Sequence, residues 1–452
     1  MTRRRTPLVG LLAAELISLI GSRMSMVALP WFTLVTTGSA ARTGLVAFAE
    51  MLPYVLACGL GGPLLDRVGA RRVSVLADLA SAAALAAVPL LYRLHHLHFG
   101  TLLGLIAAVG LLRGFGDTAK RVVFPETVAA SGMALTRATA LHDGLSRLAT
   151  LLGAPLAGIL IAALDAATVL ALDAASFLLA GVVIAATVPA RVRPAGRTAA
   201  VDGDPRIVAA GRTDLPGDGA RLDRFRRYLA SLAEGLRFLY RERLMGAVTL
   251  LLFVTNLADA AYSSVLAPLW AREVAGTPTA LGVLSASFAT GAVLGNVVFT
   301  AVAPRVPRFA VFTVGFLVAG APRFIALAAL DRLWSVYLIS FVAGLSIAAV
   351  NPILGALVYE RVPEALRARV LGPAHAISWA GIPLGGLLAG WAAAGLALPV
   401  ACLLFGGAYL LVTLAPFVAP AWRELDRPPS IDRPPGAGDR VEPQRGETVP
   451  TG

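Results

Sequence analysis

The chain has 452 residues, a formal net charge of +12, 57% hydrophobic residues and only 15% charged ones. Soluble domains carry about 25% charged residues, so an ordinary soluble enzyme is excluded. A disordered chain is excluded too, because low hydrophobicity is its requirement.

An apolar stretch of about 20 residues crosses the hydrocarbon layer as a helix. Such runs predict six spans over 8–35, 43–65, 73–92, 100–122, 138–163 and 168–188. Six more follow over 244–271, 281–303, 309–330, 335–358, 370–394 and 397–419. The first run follows Arg3, Arg4 and Arg5 in the manner of a secretory signal. It is too long for one, carries Glu15 and Arg23, and lacks a small-residue cleavage pattern. The expected fold is an all-α membrane protein with twelve transmembrane helices, split by the longest polar interruption into two groups of six. The first group spans residues 1–188 and the second 244–419.

The interruption at 189–243 has two parts. Residues 189–220 are rich in Pro, Gly, Asp and Arg and read as a flexible linker. Over 221–243, Leu222, Phe225, Leu229, Leu232, Leu236 and Leu239 form an apolar stripe among arginines. That pattern fits an amphipathic helix on the membrane surface, touching anionic lipid, and equally a helix packed beneath the two halves. The tail, 420–452, has repeated Pro and mixed charge and is expected to be disordered.

Basic residues fix the expected orientation. One side collects Arg3–Arg5, Arg67, Arg71, Arg72, Lys120, Arg121, Arg137, the linker arginines, Arg305, Arg308, Arg361, Arg367, Arg369 and those of the tail. The opposite side has Arg42, Arg93, Arg272 and Arg332. Both termini are therefore expected in the cytoplasm of a bacterial cell. This pattern suits membrane orientation better than a nucleic-acid face.

A charge at a helix centre costs about 2.5–3.5 kcal/mol on insertion scales, so such residues line a cavity or pair. Arg23, Arg113, Asp259 and Arg323 fall near mid-span, Glu15, Asp117 and Arg147 toward the cytoplasm, and Glu50 toward the outside. Two readings stay open for the carboxylates Glu15, Glu50, Asp117 and Asp259. A carboxylate in a poorly hydrated cavity can load and release a proton, or it can neutralise a buried Arg and hold helices together. Glu15 and then Asp259 lead the proton candidates. Asp117 and Arg113, four apart on one face, could pair, and Glu15, Asp117 and Arg147 share a depth, so one of these two carboxylates is expected to serve Arg147. Asn256 and Asn351 could bond cargo or tie helices. Trp31, Phe48, Tyr54, Phe253, Tyr262 and Trp379 could wall a cavity or simply pack.

Between the second and third spans runs Gly62-Pro-Leu-Leu-Asp66-Arg67-Val-Gly69-Ala-Arg71-Arg72. It resembles the major facilitator superfamily, whose loop signature is G-x-x-x-D-R-x-G-x-[RK]-[RK]. The resemblance implies two pseudo-symmetric six-helix bundles, the major facilitator fold, and a gate in which this loop latches the two halves when the cytoplasmic side is shut. Ala28-Leu-Pro30-Trp31, Asp78, Phe124-Pro125 and Val362-Pro363-Glu364 with Arg367 and Arg369 are similar to the drug- and siderophore-export branch. Gly144 and then Gly153-Ala-Pro155-Leu-Ala-Gly158 resemble the antiporter signature of exporters, with Ala157 where that signature has a further Gly. Arg113 occupies the place of the superfamily's fourth-span Arg, which the resemblance links to proton transfer. Pro304-Arg305 and Arg308 occupy the second half's equivalent of the gate loop but lack its Asp.

No nucleotide or hydrolase motif is present: G-x-x-x-x-G-K-[ST], H-E-x-x-H and G-x-S-x-G do not occur. Cys58 and Cys402 read as small core residues. His95, His96 and His98 read as interfacial surface residues without acidic partners, so no metal and no cofactor are expected. The resemblance implies a monomer whose partners are a small-molecule cargo, protons and lipid. It implies export of a small amphipathic compound, a drug, antibiotic or siderophore-like metabolite, by proton antiport through alternating access. The rivals are an importer or lysolipid flippase on the same fold, and a receptor or scaffold that does not transport.

Overall fold

A computed structural model describes residues 5–189, 233, 236–362 and 367–426, with the backbone alone at Asp66, Pro304, Val358, Tyr359, 367–369 and Ala421. Among the described residues, twelve helices are long and apolar enough to cross a membrane. In the first half they are Thr6–Thr37, Ala40–Leu60, Ala70–Arg93, Phe99–Ser131, Leu135–Ala163 and Ala166–Thr187. In the second half they are Arg243–Glu273, Pro278–Val302, Arg308–Ala329, Leu333–Leu357, Val370–Gly395 and Leu398–Val418. They are numbered as spans one to twelve in that order. The near face is the end where span one begins, and the far face is the opposite end.

Local chemistry sets the ends of the helices. Span one stops at Gly38, whose φ of 64° is left-handed, and Ser39 caps span two by accepting from the Arg42 amide. Span seven starts on Glu242, whose carboxylate accepts from the amides of Leu244 and Met245. Three spans of the second half are interrupted. Span seven carries a π-turn over Tyr262–Leu266, just past Asp259. Span nine breaks at Gly320, ahead of Pro322, where a Cβ would strike the Tyr409 ring. Span ten breaks between Ile347 and Val350, ahead of Pro352. A missing amide donor and a glycine are sufficient causes for such bends.

The two halves repeat one packing scheme. Spans one and six, two and four, three and four, and three and six pack in the first half. Their counterparts, seven and twelve, eight and ten, nine and ten, and nine and twelve, pack in the second. Spans two and eleven, and spans five and eight, form the two most extensive contacts between the halves. These contacts exchange under the same two-fold relation, as expected for two repeats about an axis along the membrane normal.

Small residues let the halves meet near the far face. A Cβ on Gly158 would stand 2.8 Å from the Gly282 Cα, and one on Gly44 would strike the Gly386 carbonyl. Arg272 Nη1 donates to the Leu34 carbonyl at 3.0 Å, joining the far ends of spans seven and one. Close backbone approach of this kind replaces the hydrophobic drive that lipid does not supply. These contacts hold the two halves together toward the far face.

Two expectations change. Residues 420–426, assigned to a disordered tail, form a 3-10 segment with Trp422 only 1% exposed against Phe312, ring centroids 5.8 Å apart. An apolar anchor overrides the Pro-rich signal there; residues 427–452 lie outside the described residues. Lys120, counted among the loop cations, is buried, because span four runs on to Ser131 instead of ending near 122. The flexible linker, and the amphipathic helix up to residue 232, also lie outside the described residues. At the helix's end, Leu239 is buried while Leu236 and Arg237 are exposed.

Candidate functional site: a polar cavity between the halves

Two adjoining cavities open between the bundles. One, of about 280 Å³, is walled by Met26, Leu29, Val46, Met51 and Ile382, with Glu50, Asn256 and Asp259 among its polar groups. The other, of about 360 Å³, is lined by Arg23, Thr150, Tyr262, Phe288, Arg323 and Ser340 among others. Met26, Asp259 and Ser263 border both, so the two form one two-lobed space, mostly apolar throughout, in which the lobe with Arg23 and Arg323 is the more polar.

In the first half, glycines bring the charges together. A Cβ on Gly110 would strike the Glu50 carbonyl, and one on Gly114 would lie 2.6 Å from the Tyr54 carbonyl. Spans two and four therefore touch backbone to backbone. Arg113 Nη1 meets Glu50 Oε1 at 3.0 Å, with both side chains under 15% exposed. The guanidinium lies 5.8 Å from the Phe177 ring centroid. One turn along, the Tyr54 hydroxyl donates to Asp117 Oδ2 at 3.0 Å. The expected pairs Arg113–Asp117 and Arg147–carboxylate are not formed. Span contact puts Glu50 nearer to Arg113 than its own helix neighbour, and Arg147 is exposed with no ion pair among the described residues.

Glu15 does not reach the cavity. Its Oε2 lies 2.9 Å from His142 Nδ1 on span five. Lys120 Nζ lies 2.8 Å from Asp78 Oδ1 in the interior of the first bundle, both side chains almost fully buried. Asp173 on span six accepts from Ser25 Oγ at 2.5 Å and from Ser176 Oγ at 3.0 Å. A Cβ on Gly21 would collide with Asp173 and Ser176. His142, Lys120 and Asp173 were missed as partners. Asp173 alone carried a sequence signal, an acid in the apolar run 168–188 with a Ser three residues on.

In the second half, Arg323 Nη2 meets Asp259 Oδ1 at 2.6 Å, and its Nε donates to the Ala319 carbonyl that the break at Gly320 frees. The guanidinium lies 5.1 Å from the Tyr262 ring centroid and 5.0 Å from that of Phe288, a cation–π sandwich. Asp259 keeps 45% of its side chain exposed to the cavity. Asn256 donates to the Ser378 carbonyl at 3.0 Å, tying spans seven and eleven, while Asn351 is exposed.

The motif residues divide. Gly62 begins a short helix, Gly62–Val68, that ends at Gly69 with φ 91°. Arg71 donates to the carbonyls of Val188 and Ala185 at 2.5 and 2.6 Å, so it caps span six within its own half. Arg67 and Arg72 are exposed. Gly153 gives room to the Cβ of Arg23, and Pro155 and Gly158 face span eight. Gly144 is exposed instead, and a Cβ added to it would meet nothing within 4 Å. Of the six candidate wall aromatics, Tyr262 alone lines either lobe; methionines and aliphatic residues form the wall. Among the described residues no group of three or more His, Cys, Asp or Glu gathers as a metal site.

Two six-helix bundles about a central cavity define a membrane transporter and not an enzyme. The family model described as Major Facilitator Superfamily matches residues 11–256 and 248–448, and the chain belongs to that superfamily. It is 30% identical over 447 residues to the multidrug efflux pump Tap of Mycobacterium tuberculosis, covering 96% of this chain and 98% of the relative. The corresponding protein of Mycolicibacterium fortuitum is 27% identical over 430 residues, covering 94% and 98%. Among solved structures, the nucleoside transporter NupG superposes with a TM-score of 0.69 at 14% identity, covering 91% of this chain and 98% of that one. At that identity the likeness concerns fold alone.

Proposed function

We propose that the protein exports small amphipathic organic compounds from the cytoplasm in exchange for protons. Full-length similarity to a multidrug efflux pump supports export. The observation that carries the mechanism is Glu50, a cavity-lining carboxylate held on Arg113 between spans two and four. The arginine asymmetry favours a near face, with both termini, in the cytoplasm.

In this reading the far face is closed and is the outer side. Cargo enters the cavity from the cytoplasm and Glu50 gives up its proton there, pairing with Arg113. Rocking of the halves about the contacts of spans two with eleven and five with eight opens the outer side. A proton from outside then neutralises Glu50, releases Arg113 and accompanies loss of the cargo. The Gly62–Arg72 loop would lock the cytoplasmic side in that state. Glu15, paired with His142 nearer the cytoplasm, would relay protons in this reading and not meet cargo.

The test is transport of the uncharged amphiphile Nile red in inside-out and right-side-out vesicles with an imposed pH gradient. Accumulation in inside-out vesicles, acid inside and abolished by a protonophore, is expected. Uptake in the opposite orientation supports an importer, and the absence of any flux supports a receptor or scaffold. Glu50→Gln abolishing gradient-driven flux while Glu15→Gln only slows it assigns the carrier; the reverse result assigns Glu15.

A further inference from the structure

The charges that face the cavity are not equally committed. Glu50 is bound to Arg113, and Asp259 to Arg323 between two aromatic rings. Asp117 takes the Tyr54 hydroxyl. Arg23 on span one lines the more polar lobe, and no carboxylate stands within ion-pair distance of it among the described residues. Arg113 and Asp117 act on it from farther away, with opposite signs. Among those residues its close polar contact is Met26 Sδ, 3.5 Å from Nη1. A thioether is a weak acceptor, readily displaced by a stronger one. Gly153 fixes the base of the side chain, because any larger residue there would overlap the Arg23 Cβ.

We propose, building on the export reading, that this site takes amphiphiles bearing an acidic group. The acid is bound by Arg23, and the apolar body lies in the lobe formed by Met26, Leu29 and Met51. A guanidinium offers a planar fork that matches a carboxylate or an ionised enol, and the desolvated cavity strengthens that pairing. A cationic cargo would meet the opposite situation. The exposed carboxylate, Asp259, is already neutralised by Arg323, and Arg23 repels the newcomer. Met26 belongs to both lobes, so displacing its sulfur from Arg23 also frees a flexible apolar side chain to close over the cargo.

The experiment uses three probes of one shape, 2-naphthoate, 2-naphthamide and 2-naphthylmethylammonium. Their binding to the purified full-length protein is measured by isothermal titration. Naphthoate is expected to bind about tenfold more tightly than the amide, on the scale of one charge-assisted contact, and the cation most weakly. Arg23→Gln should bring naphthoate down to the level of the amide, and Arg23→Lys should retain part of the preference. Equal binding of the three by the native protein, a preference for the cation, or binding of none overturns the proposal without needing a variant. So does a naphthoate preference that survives Arg23→Gln. Proton-driven efflux of uncharged Nile red and of naphthoate is a separate readout: Nile red flux without an anion preference in binding sinks this inference alone, and the absence of both fluxes alongside that preference sinks the export reading.

Discussion

Glu50 and Arg113 are held 3.0 Å apart by a backbone contact, not by side-chain reach: Gly110, one turn from Arg113, lies against the Glu50 carbonyl. Any side chain at position 110 must push span four away from span two. Gly110→Val is therefore expected to lower proton-driven efflux about as severely as Glu50→Gln, roughly 100-fold if Glu50 is the proton carrier. Gly104→Ala, on the same helix with open space around it, should change little. Efflux assays on the three variants check this.

The Lys120–Asp78 pair sits almost fully buried within the first bundle. Removing one partner leaves an uncompensated interior charge, which costs about 3–5 kcal/mol, whereas replacing both with apolar residues is often neutral. Lys120→Met should thus destabilise the protein strongly, and the Lys120→Met/Asp78→Leu double variant should recover most of the loss. Thermal unfolding in detergent measures both. A loop lysine, as the sequence suggested, would show neither effect.

In the export reading, closure of the far face depends on Gly158 meeting Gly282 backbone to backbone. Gly158→Leu is expected to hold spans five and eight apart and favour the state open to that side. The readout is labelling of a Ser263→Cys reporter in the cavity by a membrane-impermeant thiol reagent, with Cys58 and Cys402 replaced by Ser. Labelling from the far face should rise several-fold over the Gly158 parent.

The segment after span twelve is anchored by Trp422, and Arg361 bonds Glu424 through Nη1 at 2.9 Å and through Nη2 to its carbonyl. Trp422→Ala should cost about 3–5 kcal/mol, the usual range for emptying a buried aromatic site. Arg361→Ala should cost less, since its partner Glu424 is 42% exposed and re-solvates. Denaturation midpoints of the two variants order the effects.

The number of spans, their ends to within a few residues in most cases, and the two-bundle fold were all legible along the chain. Long apolar runs and the Gly62–Arg72 motif are local signals, and bilayer thickness converts length directly into topology. The same runs also named the charges that needed partners. Which partner each one found depended on how the helices pack. Glu50 lies 63 positions from Arg113, and Asp259 lies 64 from Arg323. Helix spacing favoured Asp117 for Arg113, yet glycine-mediated contact between spans two and four brought Glu50 closer. The burial of Lys120 and Trp422 was equally invisible along the chain, whereas the contact of Arg23 with Met26, one turn on in the same helix, is local. In a bilayer the backbone satisfies itself within each helix, so the sequence settles each helix alone, while the pairing of charges depends on which small residues let two helices touch.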